Sequence, residues 1–458
     1  MMASANKQGP KQEIITEVKT ADNLKIEDCD YVRFTMIDFH GIGRSKLVPK
    51  YNVAKYMKNG IAYCSFISVA SVTNTQITMI PEIVNTEKNF LVVADPTTFH
   101  SVPWAGQGKV KIGEVLCNSY WAKDEPALNI DTRAICQKQL SKLDSLGYEF
   151  MSTSEMEFQV FKQNGEPVYE GRDYMINVRT TETEDIWLTI DQYMQRMGVP
   201  SEYFEVEFGR GQFEYALIPQ MGIKAVDNMF LFKNGVKEIM IQKDLIASFM
   251  TKPHNVIDMY QHVNGLHMNH SVWTKDGRNA LHDSKADDNL SEIAKYWLAG
   301  NIKHMAALTA LCAPTVNCYR RLHTAGVPNN ANWGIENRLT SIRVKNYDEK
   351  ATYFEHRLPC GSTNPYLAIA GIVAAGIDGI VNNLECPPQL EGDSLPMTLT
   401  DAIKALKADK YMVDALGEDF VNWWSQCKEE TEINFLPGTR HEDDATYEKE
   451  RYLYLNLL

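Results

Sequence analysis

The sequence predicts an α+β protein made of two parts, a small β-rich domain followed by a large mixed domain. Up to about residue 125, apolar and polar residues alternate in a series of short runs, which is the pattern of half-buried strands. From residue 126 onward, longer strand-like runs are mixed with runs at helical spacing. We therefore expect a flexible lead over residues 1–24, a β-rich domain over residues 25–125 and one large domain over residues 126–458.

The segments of the first part are predicted from their alternation. Val32, Phe34 and Met36 alternate with polar residues, which predicts a strand over residues 31–37. A turn over residues 40–44 would let residues 45–48 pair back as a hairpin. Further strands are expected over residues 76–80, 90–93 and 110–116.

The second part begins with a predicted helix over residues 132–146, which Gly147 ends, and a long strand over residues 148–161. Two buried helices are expected, and Asn364 and Pro365 form a typical start for the second of them. An amphipathic pair of helices, separated by Gly417, follows. The three predicted segments cover residues 301–311, 364–380 and 399–428.

Composition limits the possible partners. The chain has 458 residues, and its net charge of −13 disfavours nucleic acid and anionic membranes. The longest apolar run, residues 366–377, is too short to cross a bilayer. The nine cysteines lack CxxC spacing and no apolar leader is visible, so we expect a cytoplasmic protein without a disulfide framework.

The first chemical signal is a pair of glutamates in the predicted long strand. Glu155 and Glu157 alternate with Met156 and Phe158, so both carboxylates lie on one strand face. Two buried anions repel each other, and a divalent cation would remove that repulsion. The alternative is an edge strand with a solvated acidic face, and this motif alone leaves both open.

A second acidic segment runs from Glu207 to Glu214. Gln212 and Glu214 share a face if the segment is extended, while Gly209 and Gly211 permit a bulge that would bring Glu207 to the same site. Taken alone, an acidic loop entering a strand is the simpler interpretation.

Histidine and arginine complete the candidate set. His267, Asn269 and Ser271 alternate on one strand, and one imidazole among carboxylates favours Mg²⁺ or Mn²⁺, although a lone histidine is more often structural. Arginines beside such a site could bind a transferred phosphoryl group and a substrate carboxylate, although each could instead lie on the surface. The arginines concerned are Arg320, Arg321, Arg338, Arg343 and Arg357.

These segments resemble the glutamine synthetase signature in order and approximate spacing, over about residues 25–458. The matching motifs are SEMEF, EFGRGQFE, GLHMNHS, APTVNCYRRL, NRLTSIR and FEHRLPCGSTNPYLAIAG. The C-terminal segments ALGEDF and YEKERYLY resemble the class I branch with its lengsin-like and γ-glutamyl-amine ligase relatives. The resemblance implies a β-grasp domain, a catalytic domain with a curved antiparallel sheet, and two stacked hexameric rings with sites between neighbouring subunits.

The resemblance also implies ATP and two or three Mg²⁺ or Mn²⁺ ions at each site. It assigns one metal to Glu155, Glu207 and Glu214, and the other to Glu157, His267 and Glu355. Asn269, Ser271 and Arg343 match nucleotide-binding positions, and Arg338 and Arg357 match catalytic ones. The matching substrate-binding positions are Arg321, Val327, Cys64, Val263 and Gly265.

The departures from the family pattern concern the substrates. Val327 stands where ammonia-using members have a flap glutamate, and Cys64 stands where they have an aspartate that binds ammonium. Cys360 also replaces an aspartate, and His262 and Val263 replace asparagine and glycine. Ammonium must be bound by anions and deprotonated, which valine cannot do. We therefore expect an ATP-dependent ligase that joins glutamate, or a related acid, to an organic amine through an acyl phosphate. The alternative is an inactive, ring-forming, lengsin-like structural protein.

Overall fold

The computed structural model describes residues 24–84, 89–121, 127–171, 173–254, 263–322, 324, 326–436 and 444–458. The predicted lead lies outside these residues except for Leu24. Two sheets organise the described chain, one in the first 120 residues and a larger one between residues 148 and 356. This is the mixed α+β fold that the sequence predicts. The boundary between residues 125 and 126 stays a prediction.

The first sheet has the strand order β2-β1-β6-β4-β3, with β5 beside β6. Strand β1 pairs in parallel with β6 and antiparallel with β2, so the predicted hairpin is confirmed. The predicted strand over residues 76–80 is wrong, because only an isolated bridge joins Ala70 and Ile77 there. The strands are β1 Tyr31–Ile37, β2 Gly43–Pro49, β3 Ile61–Cys64, β4 Asn89–Ala94, β5 His100–Ser101 and β6 Ile112–Tyr120, with helices α1 Lys50–Asn59 and α2 Pro81–Val84.

The second sheet is built around the longest strand, β7, which pairs with β12 on one side and β9 on the other. Its order is β13-β14-β15-β12-β7-β9-β8, and β10 and β11 also pair with β7. The strands are β7 Tyr148–Lys162, β8 Ser201–Val206, β9 Gln212–Leu217, β10 Gln220–Met221, β11 Leu245–Ser248, β12 Leu266–Thr274, β13 Trp333–Ile335, β14 Ile342–Asn346 and β15 Thr352–His356.

The remaining described helices precede, separate or follow the strands of the second sheet along the chain. They are α3 Thr132–Ser145, α4 Asn177–Glu182, α5 Glu184–Met197, α6 Ile223–Ile241, α7 Glu292–Lys303, α8 Met305–Cys312, α9 Pro365–Asn382, α10 Leu399–Ala408, α11 Lys410–Leu416, α12 Glu418–Lys428 and α13 Asp444–Tyr454. The predicted helix over residues 301–311 is interrupted at His304, whose ring nitrogens lie 2.9 Å from Asp378 and 2.5 Å from Asp409. Three helices, rather than two, cover residues 399–428.

Helix α9 is the central helix of the large domain. Its apolar composition and length would suit a membrane span. However, 83% of its residues are buried inside the protein, as in a core helix. Helices α7 and α9 pack closely because both have glycine where they meet. A Cβ atom on Gly379 would lie 1.8 Å from the Tyr296 carbonyl oxygen, and one on Gly300 would lie 2.1 Å from the Ala375 carbonyl oxygen. Asn364 caps α9 by accepting a hydrogen bond from the Tyr366 amide.

Candidate active site

A cavity of about 580 Å³ opens on one face of the second sheet. Most of the residues proposed from the sequence line it. These are Glu155, Glu157, Glu207, Glu214, Val263, His267, Arg338, Arg343, Glu355 and Arg357.

Strand register explains why these side chains meet. On β7, Glu155 lies opposite His267 of β12, and Glu157 lies opposite Glu214 of β9. Glu355 of β15 lies opposite Arg343 of β14. Side chains directly opposite each other in an antiparallel pair project from the same face of the sheet. Adjacent strands therefore deliver carboxylates, an imidazole and a guanidinium to one surface.

The first ligand group consists of Glu155, His267 and Glu355, whose potential ligand atoms all lie within 4.8 Å of one another. The His267 Nδ1 atom is 3.3 Å from a Glu155 oxygen and 3.7 Å from a Glu355 oxygen. The family resemblance assigned Glu155 to the other group and Glu157 to this one, whereas in the structure it is the Glu155 carboxylate that lies beside His267.

The second ligand group consists of Glu205, Glu207 and Glu214, again within 4.8 Å. Glu157 lies beside it, since its charge acts on both Glu207 and Glu214. One Glu157 oxygen accepts hydrogen bonds of 3.0 Å from the Gly265 amide and from the Gln212 side chain. These two donors fix the Glu157 carboxylate next to the second group.

The two groups differ in their electrostatics. Burial alone would raise the pKa of Glu155, but the hydrogen bond and charge of His267 lower that pKa to about 2. In the second group, burial and then the charge of Glu157 raise the pKa of Glu207 to about 8 and raise that of Glu214 well above its usual value. The second group is thus a set of mutually repelling carboxylates that a divalent cation would relieve.

We expect Glu207 to make the metal-free protein less stable as pH rises from about 4.5 to about 8. Over that range the folded protein keeps a proton on Glu207, whose pKa is about 8, whereas the unfolded chain loses it. Because the folded state binds more protons, raising the pH favours unfolding. Thermal unfolding in the presence of a chelator should show that raising the pH from about 4.5 to about 8 costs the wild type more stability, relative to its own value at about pH 4.5, than it costs Glu207→Gln. Excess Mg²⁺ should suppress this difference between the two proteins. Identical pH profiles of stability for both proteins would contradict the raised pKa assigned to Glu207.

The arginines take different positions around the carboxylates. Arg343 donates to Glu355 at 3.1 Å and to Glu336 at 2.6 Å, and Arg357 also donates to Glu355. The Nε atoms of both arginines are buried and have no hydrogen-bond partner among the described residues. Arg338 is exposed in the loop between β13 and β14 and lines the cavity. This side of the cavity is therefore suited to anionic oxygens.

Arg321 lies behind the cavity wall. It is 3% exposed, and its guanidinium donates to the backbone oxygens of Arg357 and Leu358 at 3.3 Å. A Cβ atom on Gly265 would lie 2.9 Å from Arg321 and 3.1 Å from Glu157. Glycine at this position thus leaves room between the guanidinium and the carboxylate.

Four other proposed residues do not line the cavity. Asn269 donates to Glu155 at 2.9 Å, and its buried side-chain oxygen has no hydrogen-bond partner among the described residues. The Ser271 hydroxyl accepts a hydrogen bond from Trp273. Val327 is half-buried beside Gly326, which does line the cavity, and Cys64 is exposed at the end of β3 in the first sheet. His262 lies outside the described residues.

Several residues of the cavity were not predicted from the sequence. Glu205 is the most important, because it belongs to the second ligand group. Tyr203, Glu205 and Glu207 alternate along β8 and its end, so the same period-two pattern that revealed Glu155 could have revealed them. The other missed residues are Tyr174, Met175, Phe208, Lys345 and Tyr353.

Metal ions and a nucleotide would suit this donor set. Carboxylate oxygens with a single imidazole favour Mg²⁺ or Mn²⁺ over softer ions. The raised pKa values of Glu207 and Glu214 indicate that the positive charge of Arg338 does not offset burial and the repulsion among these carboxylates. The buried unpartnered atoms of Asn269, Arg343 and Arg357 are donors and acceptors that a bound molecule could satisfy.

Known proteins resemble this chain over most of its length. Residues 129–447 match the family model "Glutamine synthetase, catalytic domain". A glutamine synthetase of Pyrococcus horikoshii is 30% identical over 451 residues, covering 93% of this chain and 96% of the relative, and human lengsin is 29% identical, covering 87% and 79%. The chain therefore belongs to the glutamine synthetase family.

Solved structures show the same fold. A structure of a GmaS/ADP complex superposes with a TM-score of 0.77 at 26% identity, covering 88% of this chain and 93% of that chain. A structure described as a novel glutamine synthase homolog gives a TM-score of 0.83 at 22% identity, covering 94% and 100%, and supports the fold alone. Glutamine synthetases are in general ATP-dependent ligases that use divalent metal ions.

Proposed function

We propose that the protein is an ATP-dependent ligase that joins glutamate, or a related acid, to an organic amine through an acyl phosphate. The observation that carries this proposal is a cavity in which the two ligand groups described above lie beside a set of arginines. The amine, rather than ammonia, follows from Val327 and Cys64, which cannot supply the charges that ammonium needs. Similarity to the GmaS/ADP complex supports nucleotide binding.

The arginines would bind the phosphates and the acid substrate. Arg338, Arg343 and Arg357 bind the phosphate oxygens of ATP and offset the negative charge that develops during phosphoryl transfer. Arg321, behind Gly265, binds the carboxylate of the acid that does not react. All four arginines would act by position and charge, because their guanidinium groups stay protonated throughout.

The carboxylates would hold two or three Mg²⁺ or Mn²⁺ ions, with Glu155, His267 and Glu355 forming one site. Glu205, Glu207 and Glu214, with Glu157 beside them, form the second. Bound divalent ions supply Lewis-acid charge next to the phosphates.

The proposed reaction has two steps. An oxygen of the acid's γ-carboxylate attacks the γ-phosphorus of ATP, and the bond to ADP breaks, which leaves an acyl phosphate. The neutral amine then attacks the acyl carbon, phosphate leaves with the oxygen that came from the acid, and the proton lost from the nitrogen goes to the departing phosphate. The cavity wall must keep water from the acyl phosphate until the amine arrives.

We expect phosphate release from ATP and glutamate to require an organic amine, and ammonium to be a poor substitute. A panel of primary amines, with products identified by mass spectrometry, tests this in the presence of Mg²⁺ or Mn²⁺. Turnover with ammonium equal to that with every organic amine would contradict the proposed role of Val327. Ring assembly without any product would instead favour the lengsin-like structural role, which the lengsin similarity also supports.

We also propose a cytoplasmic homo-oligomer of two stacked hexameric rings. Cys64 is exposed on the first sheet and does not line the cavity of its own chain. In a ring with sites between subunits, this residue would approach a neighbour's cavity.

A further inference from the structure

One wall of the cavity is aromatic. The rings of Tyr174 and Phe208 are nearly parallel, with an angle of 11° and centroids 4.3 Å apart. Both residues line the cavity, and 43% of the Phe208 surface stays exposed. Tyr174 comes from the segment before α4, and Phe208 from the loop between β8 and β9. Two loops thus stack their rings at the cavity wall, beside a group of charges, and the outer ring faces are apolar.

The polar surroundings of this aromatic pair are acidic. Glu205 accepts a hydrogen bond from Tyr174, and Glu205 belongs to the second ligand group. Once divalent ions occupy that group, as the proposed function requires, the faces of the aromatic rings remain as the surface that attracts an organic amine. A molecule with an amino group at one end and a flat apolar group at the other would match this combination.

We propose that the Tyr174–Phe208 pair binds the carbon skeleton of the amine substrate, and that the amine is an arylalkylamine, an aromatic ring on a short alkyl chain. This inference rests on the proposed amine-ligase function and specifies its substrate class. A flat ring stacks on a flat aromatic surface, whereas ammonia and methylamine have nothing to place there. Met175, 51% exposed on the same cavity wall, adds a flexible apolar contact.

The test compares kcat/KM for phenethylamine, butylamine and methylamine. The wild type should favour phenethylamine over butylamine by about tenfold or more, which is the scale of one stacking contact with its buried area. Phe208→Ala should remove most of that preference. Phe208→Tyr keeps the ring and should retain it, and Tyr174→Phe should retain it as well because only the hydroxyl is lost.

The outcomes separate this inference from the proposed function. Product from all three amines without an aromatic preference, or a preference that survives Phe208→Ala, would overturn the inference and leave the ligase proposal intact. Absence of product with every amine would overturn both. Dissociation of the oligomer in Phe208→Ala, seen by light scattering, would show that the pair is a contact between copies of the chain and would also overturn the inference.

Discussion

Replacing Glu355 with glutamine should lower amine-dependent phosphate release by about 100- to 1,000-fold, the loss typical of removing one preorganised charge from a reacting site. Glu355 is 3% exposed, lies with Glu155 and His267, and accepts hydrogen bonds from Arg343 and Arg357. The substitution would remove a metal ligand, take from Arg357 its carboxylate partner and leave Arg343 paired with Glu336 alone. Steady-state phosphate release, together with metal-dependent nucleotide affinity from calorimetry, measures the effect.

The matched control for this prediction is Glu349→Gln. Glu349 is an exposed glutamate between β14 and β15, away from the residues that line the cavity. It should keep wild-type activity and nucleotide affinity. If Glu355→Gln also bound nucleotide normally with Mg²⁺ present, the assignment of the first ligand group would be wrong.

Two adjacent arginines should affect different properties when each is replaced by methionine: Arg321 the binding of the acid, and Arg320 the stability of the fold. Arg321→Met should raise the KM for the acid by about 10- to 100-fold, because a hydrogen bond to a charged group contributes about 1.5–3 kcal/mol. Arg320→Met should instead lower the free energy of unfolding by about 3–5 kcal/mol, because it leaves a buried carboxylate without its ion-pair partner. Arg320 donates to Glu450 at 2.7 Å, and the Glu450 side chain is 1% exposed.

Each of these variants is the control for the other. Thermal unfolding should separate Arg320→Met from the wild type, while acid saturation curves should separate Arg321→Met. The double variant Arg320→Met with Glu450→Met should recover much of the lost stability, since the unpaired charge is gone. An unchanged KM in a folded Arg321→Met protein would rule out Arg321 as the group that holds the acid.

Local patterns in the sequence were sufficient to predict two of the strands that carry the site residues. The alternation around Glu155 predicts β7, and that around His267 predicts β12, because strand period alone decides which side chains share a face. The start of α9 was also predictable, since Asn364 and Pro365 form a local capping pattern.

Properties set by tertiary contacts were not predictable in the same way. The division of ligands between two groups depends on which strands pair with β7 and in which register, and no local pattern encodes that. The break at His304 depends on Asp378 and Asp409, which lie more than seventy residues away. Residues 76–80 alternate like a strand, but most of the segment finds no partner in the sheet.

The most direct test of the central claim follows a labelled oxygen through the reaction. The protein is incubated with ATP, Mg²⁺, an organic amine and glutamate whose γ-carboxylate carries a heavy oxygen isotope, and the released phosphate is analysed by mass spectrometry. An acyl phosphate requires one labelled oxygen in each phosphate, because that oxygen leaves the acid when the amine attacks. Unlabelled phosphate, or phosphate release that does not depend on the amine, would contradict the proposed function.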